Sequence, residues 1–148
     1  MMLNKVLVHE WMSKPALTIR QDAPINYAHE VMRQQQVRRL VVVNENNHIL
    51  GIVTSGDIRE AKPSDATTLS IWELNYLVSQ LIVEKIMTHE VITIGMNSRM
   101  TDAAKLMLDY KIGGLPVVDD AGELVGVLTE SDIFRMIVQQ ETTSKTIS

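Results

Sequence analysis

Gly126-Val127-Leu128-Thr129-Glu130-Ser131-Asp132-Ile133 is written a first time 75 positions earlier, as Gly51-Ile52-Val53-Thr54-Ser55-Gly56-Asp57-Ile58. The likeness runs outward from these two stretches. Laying residues 8–60 over 83–135 needs no gap and gives 13 identities in 53 pairs, among them Val8/Val83, Met12/Met87, Thr18/Thr93, Met32/Met107, Val42/Val117, Gly51/Gly126, Thr54/Thr129 and Asp57/Asp132. Other pairs exchange one apolar residue for another, such as Leu17/Ile92, Val31/Leu106 and Val53/Leu128, so the copies share a backbone plan as well as letters. A duplication of this kind implies a pseudo-twofold pair with two related sites.

Each copy reads as strand, helix, strand, strand, helix. Ala16-Leu17-Thr18-Ile19 and Val91-Ile92-Thr93-Ile94 are short β-rich runs between polar residues. Asp22 in one copy and Asn97-Ser98 in the other offer capping side chains ahead of the helical stripes Ile25, Ala28, Val31, Met32 and Met100, Ala103, Leu106, Met107. Leu40–Val43 and Leu115–Val118, each followed by a polar turn (Asn44–Asn47, Asp119–Gly122) and a returning apolar run, predict hairpins. The division that follows is repeat 1 over 8–62, a linker with a helix over 63–82, repeat 2 over 83–140 and a disordered polar tail over 141–148. In the linker, Ala61–Thr68 is turn-rich. Leu69–Leu81 reads as a helix with Ser70 and Glu73 at capping-box spacing. That helix is expected to strap the core, with a partner contact through Trp72 and Tyr76 as the alternative.

At 148 residues with 45% hydrophobic and 22% charged residues, the chain suits one compact globular unit or two small interdependent ones. A unit of about 55 residues buries only about 60% of its unfolded surface, so each half gains by packing on the other. No cysteine is present, which excludes disulfides, thiolate metal sites and thiol catalysis. A net charge of −4 speaks against charge-driven nucleic-acid binding, and no secretory leader or membrane span is apparent, so a cytoplasmic location is expected. Residues 8–60 carry six basic and six acidic side chains, and 83–135 carry five and nine, which favours the first copy for a phosphorylated ligand.

Thr54 and Thr129 stand where strand gives way to helix. The open N–H groups and positive dipole there suit a phosphate, and Asp57 and Asp132 in the first helical turn suit a pair of ribose hydroxyls. The plainer reading is that Thr caps the helix while Asp favours its dipole. His9, His29, His48 and His89 form no metal-binding spacing, and no phosphate-loop, dinucleotide or nucleophile-elbow motif occurs.

The two G-h-h-T-x-x-D-I endings, Leu115-Pro116-Val117-Val118-Asp119, and Met87-Thr88 ahead of Thr93-Ile94 resemble a tandem cystathionine-β-synthase (CBS) domain pair, or Bateman module, across roughly 8–140. The linker Pro63–Leu69 and Glu73–Leu77 is similar to the stand-alone acetoin-utilisation subgroup, and Val41 departs from the pattern where Pro116 follows it. The resemblance implies an α/β (α+β) fold of two βαββα repeats packed about a pseudo-twofold axis. It further implies a disc-shaped homodimer and a sensor, with no catalytic role, for AMP, ADP, ATP or S-adenosylmethionine. Mg²⁺ would enter only with a nucleotide. Carried over, one cleft joins Thr54 and Asp57 to Ile94, Gly95 and Gly114, with Arg38 and Arg39 at the phosphates. The other joins Thr129 and Asp132 to Ile19 and Arg20, with Gly113 and Gly114 in place of the arginines, and is left either empty or open to a neutral or cationic adenosyl ligand. The regulated protein is not specified. Two other function classes stand beside this one: a ligand-free interaction module, and a Mg²⁺-assisted nucleotide hydrolase, for which no acid–base pair is visible.

Overall fold

Leu40–Val43 is buried on both faces, and as part of the middle strand of its sheet it has both hydrogen-bonding edges paired. The structure, a computed structural model, describes residues 3–63 and 68–147. Strand β1 (Thr18–Arg20) pairs in parallel with β2 (Arg39–Val43), which pairs antiparallel with β3 (Ile49–Thr54). Helix α1 (Ile25–Gln35) connects β1 to β2, and α2 (Ser55–Ala61) follows β3. Helix α3 (Ile71–Ser79) lies in the linker. The second copy repeats the order with β4 (Ile94–Gly95), α4 (Met100–Tyr110), β5 (Gly114–Val118), β6 (Leu124–Thr129) and α5 (Glu130–Ile147), in a sheet of order β4-β5-β6. Within the turn-rich stretch expected from Ala61 to Thr68, residues 64–67 lie outside the described residues.

The mixed α+β architecture and the hairpins agree with the sequence patterns, and the turns agree in detail. The Asn44 side-chain carbonyl accepts from the N–H groups of Asn46 (2.9 Å) and His48 (3.0 Å), as the Asp119 carboxylate does from Ala121 (3.0 Å) and Glu123 (2.9 Å). Asn47 and Gly122, equivalent in the two copies, take the left-handed conformation at φ 65° and 84°. The opening strands sit two to three residues later than expected, because their extent is fixed by parallel pairing of Thr18–Arg20 with Val41–Val43 and of Ile94–Gly95 with Val117–Val118.

The compact units do not follow the repeats. One unit joins Met1–Leu17 to Ile92–Ser148, and the other is Thr18–Val91. The leading segment of each repeat therefore belongs with the other copy's sheet. In the first unit Val8 is buried with Ile94, Met100, Ala103, Met107, Leu115, Val117, Leu128 and Met136. Its Ser13 exchanges N–H···O bonds with Val127 at 2.9 and 3.0 Å. In the second, Val83 is fully buried, its N–H donates to Ala23 O at 2.8 Å, and Thr88 exchanges bonds with Ile52 at 2.8 and 3.0 Å. Two close approaches follow: a Cβ on Gly51 would lie 2.5 Å from the Thr88 carbonyl oxygen, and one on Gly126 would lie 2.7 Å from that of Ser13. The identities Val8/Val83, Met12/Met87 and Gly51/Gly126 mark this one packing motif twice.

The same exchange corrects the expected caps. Neither Asp22 nor Asn97-Ser98 caps a helix: Pro24 and Arg99 occupy the N-cap positions without a side-chain capping bond. The leading N–H of α1, on Ile25, donates to Leu81 O at 3.1 Å, and that of α4, on Met100, donates to Val6 O at 2.8 Å. Backbone carbonyls from distant segments satisfy donors that a local side chain was expected to take.

Ser70 caps α3 as its spacing predicts, accepting from the Glu73 N–H at 3.2 Å. The helix is not the expected strap. None of its residues is buried, and Ile71, Trp72, Tyr76 and Leu77 are exposed, Trp72 at 80%. Helix α5 continues through Ile147, well into the segment that composition assigned to a disordered tail, because extending a helix whose first turns are packed costs little per residue. Ser148 lies outside the described residues.

Candidate functional site

In the unit Thr18–Val91, Thr54 ends β3 and is the N-cap of α2. Its Oγ1 accepts from the Asp57 N–H (3.1 Å), and the Asp57 Oδ2 accepts from the Thr54 N–H (2.9 Å), a reciprocal capping box. The Ser55 N–H donates to Arg38 O at 2.9 Å. The helix start is thus less open to an anion than its sequence implies, since the N–H groups of Ser55 and Asp57 already have partners. Two groups stay open among the described residues: the hydroxyl hydrogen of Thr54 and the second oxygen of Asp57. Arg39 stands opposite Thr54 in the β2–β3 ladder, and Arg38, next to it, is exposed.

The unit holding Ile92–Ser148 repeats the backbone and changes the side chains. Asp132 Oδ2 accepts from the Thr129 N–H (2.9 Å) and from the Thr129 hydroxyl (3.2 Å), while the Asp132 N–H donates to Thr129 Oγ1 (3.4 Å). Glu130 N–H donates to Gly113 O at 3.1 Å, matching Ser55 and Arg38, and Gly114 stands opposite Thr129. In addition Arg135 Nη1 donates to Asp132 Oδ1 at 2.7 Å. Asp132 is 2% exposed, and the Arg135 side chain is about half exposed. Arg135 is absent from the sequence-based candidates. The 75-residue alignment carries its signal, because Glu60 is its counterpart three residues after Asp57.

The other candidates fall at the far ends of the sheets. In one unit Arg20 is opposite Val43, while Thr54 is opposite Arg39. Four residues of strand, about 13 Å, separate these positions. The structure groups Arg38 and Arg39 with Thr54 and Asp57, while Ile19 and Arg20, expected with Thr129 and Asp132, stand at the opposite end of the first sheet from Thr54. Ile94 and Gly95, expected with Thr54 and Asp57, stand opposite Val117 and Val118 in the second sheet, where Gly113 and Gly114 adjoin Thr129. Arg20 reaches Glu45 at 4.0 Å across exposed surface. Beside Ile19 and Arg20 a cavity of about 280 Å³ is lined also by Thr18, Ala23, Tyr27 and Val31.

No group of three or more His, Asp or Glu able to hold a metal occurs among the described residues, and none of their helices is long and apolar enough to cross a membrane. The titration shifts lie on exposed helix faces. A hydrogen bond from Arg33 holds the Glu30 carboxyl below its ordinary range, and one from Arg99 does the same for Asp102.

Residues 8–64 and 83–139 each match the family model of the CBS domain. The chain belongs to the CBS domain family. This CBS pair is 33% identical over 135 residues to a CBS domain-containing protein of Dictyostelium discoideum, covering 91% of this chain and 93% of the other. It is 36% identical over 135 residues to a homoserine O-acetyltransferase of Methanococcoides burtonii, covering 91% of this chain but spanning only 25% of that enzyme. Among solved structures it resembles the CBS domain pair of protein MJ0100 in complex with 5′-methylthioadenosine and S-adenosyl-L-methionine (TM-score 0.76, 31% identity, 91% and 98% of the two chains). It also resembles CBSX2 in complex with AMP (TM-score 0.73, 26% identity, 92% and 98%). Its two three-stranded sheets and helices are those of a CBS pair.

Proposed function

We propose that this CBS pair is a regulatory sensor of an adenosine-containing ligand, of the AMP, ADP, ATP or S-adenosylmethionine kind, without catalysis of its own. The observation that carries the reading is the turn at Thr54. One hydroxyl donor and one carboxylate oxygen are held in a capping box with their remaining valences open, and Arg38 and Arg39 adjoin them. A carboxylate oxygen accepts from ribose hydroxyls, and a hydroxyl flanked in the backbone by two arginine positions suits a phosphate. The adenosyl ligands of protein MJ0100 and of CBSX2 support the class of ligand. Mg²⁺ would arrive with a polyphosphate rather than bind the protein alone.

Isothermal titration with AMP, ADP, ATP and S-adenosylmethionine tests the reading. One of them binds the wild-type protein, and Asp57→Ala weakens it about 10- to 150-fold, the worth of a hydrogen bond to a charged group. Unchanged affinity in Asp57→Ala removes the assignment of that carboxylate. The second reading, an interaction module acting as a homodimer on a regulated partner, is favoured by exposed Leu108 and Phe134 on α4 and α5 and by Trp72 on α3. It predicts a dimer by light scattering that ignores all four ligands.

A further inference from the structure

We infer that Arg135 latches the second Thr–Asp pair shut, so that the chain takes its adenosine-type ligand at Thr54/Asp57 and leaves Thr129/Asp132 unused. The inference rests on the sensor reading and deepens it. The two turns share one backbone plan: a Thr–Asp capping box, and an N–H tied to the residue before the second strand of the repeat. They differ in which valences remain. An ionised carboxylate has about four acceptor positions. Asp57 gives one of them to the Thr54 N–H, whereas Asp132 gives three, to the Thr129 N–H, the Thr129 hydroxyl and Arg135. The Thr129 hydroxyl has also turned its hydrogen inward to Asp132, while that of Thr54 has not.

A ligand diol arriving at Asp132 must reach a carboxylate only 2% exposed and displace a guanidinium held at 2.7 Å. Asp132 is desolvated but the Arg135 side chain is half exposed, so solvent screens the pair and its worth against a competing ligand is about 2- to 5-fold in affinity. At the first turn the residue in the place of Arg135 is Glu60, whose carboxylate donates nothing to Asp57. The charge at this position therefore adds to the difference between Arg38-Arg39 and Gly113-Gly114 in setting which of the two turns is open.

The experiment is isothermal titration of the wild-type protein, Asp57→Ala, Arg135→Ala, and the double variant Asp57→Ala/Arg135→Ala, with AMP, ADP, ATP and S-adenosylmethionine as titrants. Circular dichroism melts establish folding. The latch predicts about one ligand per wild-type chain, binding lost or strongly weakened in Asp57→Ala, and a second ligand gained in Arg135→Ala. In the double variant, binding returns at the newly opened turn. Arg135→Gln, which keeps a neutral donor near Asp132, gives an intermediate second affinity and decides the matter should Arg135→Ala not fold. Two equal sites in the wild type overturn the latch while leaving the sensor reading in place. So does an unchanged stoichiometry in Arg135→Ala, or a weaker affinity there, which would make Arg135 a ligand contact. No heat with any titrant in any protein overturns the sensor reading and the latch together.

Discussion

Replacing Gly51 with alanine places one methyl group against a main chain that has nowhere to go. The new Cβ would lie 2.5 Å from the Thr88 carbonyl oxygen, 2.8 Å from the Met87 sulfur and 3.1 Å from its Cγ. Met87 can rotate its thioether away, but the Thr88 oxygen is main chain and accepts the Ile52 N–H at 3.0 Å, while the Thr88 N–H donates to Ile52 O at 2.8 Å. Relief of the clash opens this bridge, at about 1 kcal/mol for each hydrogen bond. Residual crowding adds about 1 kcal/mol more. The sum is about 2–3 kcal/mol, which for a chain of this size lowers the melting temperature by about 4–12 °C. Gly126→Ala should behave alike, since its Cβ would meet Ser13 O at 2.7 Å. Gly56→Ala is the control: it lies in α2 with its nearest neighbours at 3.6 and 3.8 Å, so alanine there should stabilise by about 0.5–1 kcal/mol. Urea titration followed by circular dichroism measures all three. A Gly51→Ala protein within about 0.5 kcal/mol of wild type would refute the reasoning that the close approach requires glycine.

Ile25→Ala, at a fully buried position on α1, should cost about 2–5 kcal/mol by the same denaturation assay. Trp72→Ala should shift monomer stability by no more than about 0.5 kcal/mol despite deleting the largest side chain, because that residue is 80% exposed; a larger loss that grows with protein concentration would reveal an interface through α3. Glu30 and Asp102 are held below their ordinary values of 4.5 and 3.8, so their contribution to stability is present above those values and fades as pH falls through the lower folded ones. Melts at pH 5 and pH 3 should show a slightly smaller pH-dependent loss in Arg33→Ala and Arg99→Ala than in wild type.

Patterns carried by neighbouring residues were legible in the sequence. The stripes at Ile25, Ala28, Met32 and at Met100, Ala103, Met107 are buried, and the runs at Leu40–Val43 and Leu115–Val118 form hairpins, because side-chain periodicity is a local property. What depends on distant partners was not legible. The caps at Ile25 and Met100 come from carbonyls 56 and 94 residues away along the chain, at Leu81 and Val6, and nothing near Asp22 or Asn97 announces them. The Thr–Asp turns were found through their duplication. The sequence places the inequality between them in the arginines at 38 and 39 against the glycines at 113 and 114, and the structure adds a second source three residues past the aspartate, in the ion pair of Arg135 with Asp132. The apolar residues of α3 are spread around the helix, so the sequence leaves both a strap and an outward face through Trp72 and Tyr76 open, and the exposure of those two residues agrees with the second.

The interleaving of the two units sets a timetable for a ribosome. Thr18–Val91 is contiguous and has all its strands once Thr54 has emerged, with Val83 and Met87 arriving soon after. The other unit is discontinuous: Val6 and Val8 are buried in one cluster with Leu128 and Met136, which are made 120 to 130 residues later. At about 5–20 residues per second the leading segment waits about 6–26 s for its partners. During that interval its apolar side chains have no native home. Until α5 has been made, the segment around Val6 and Val8 lacks part of the cluster in which it is buried.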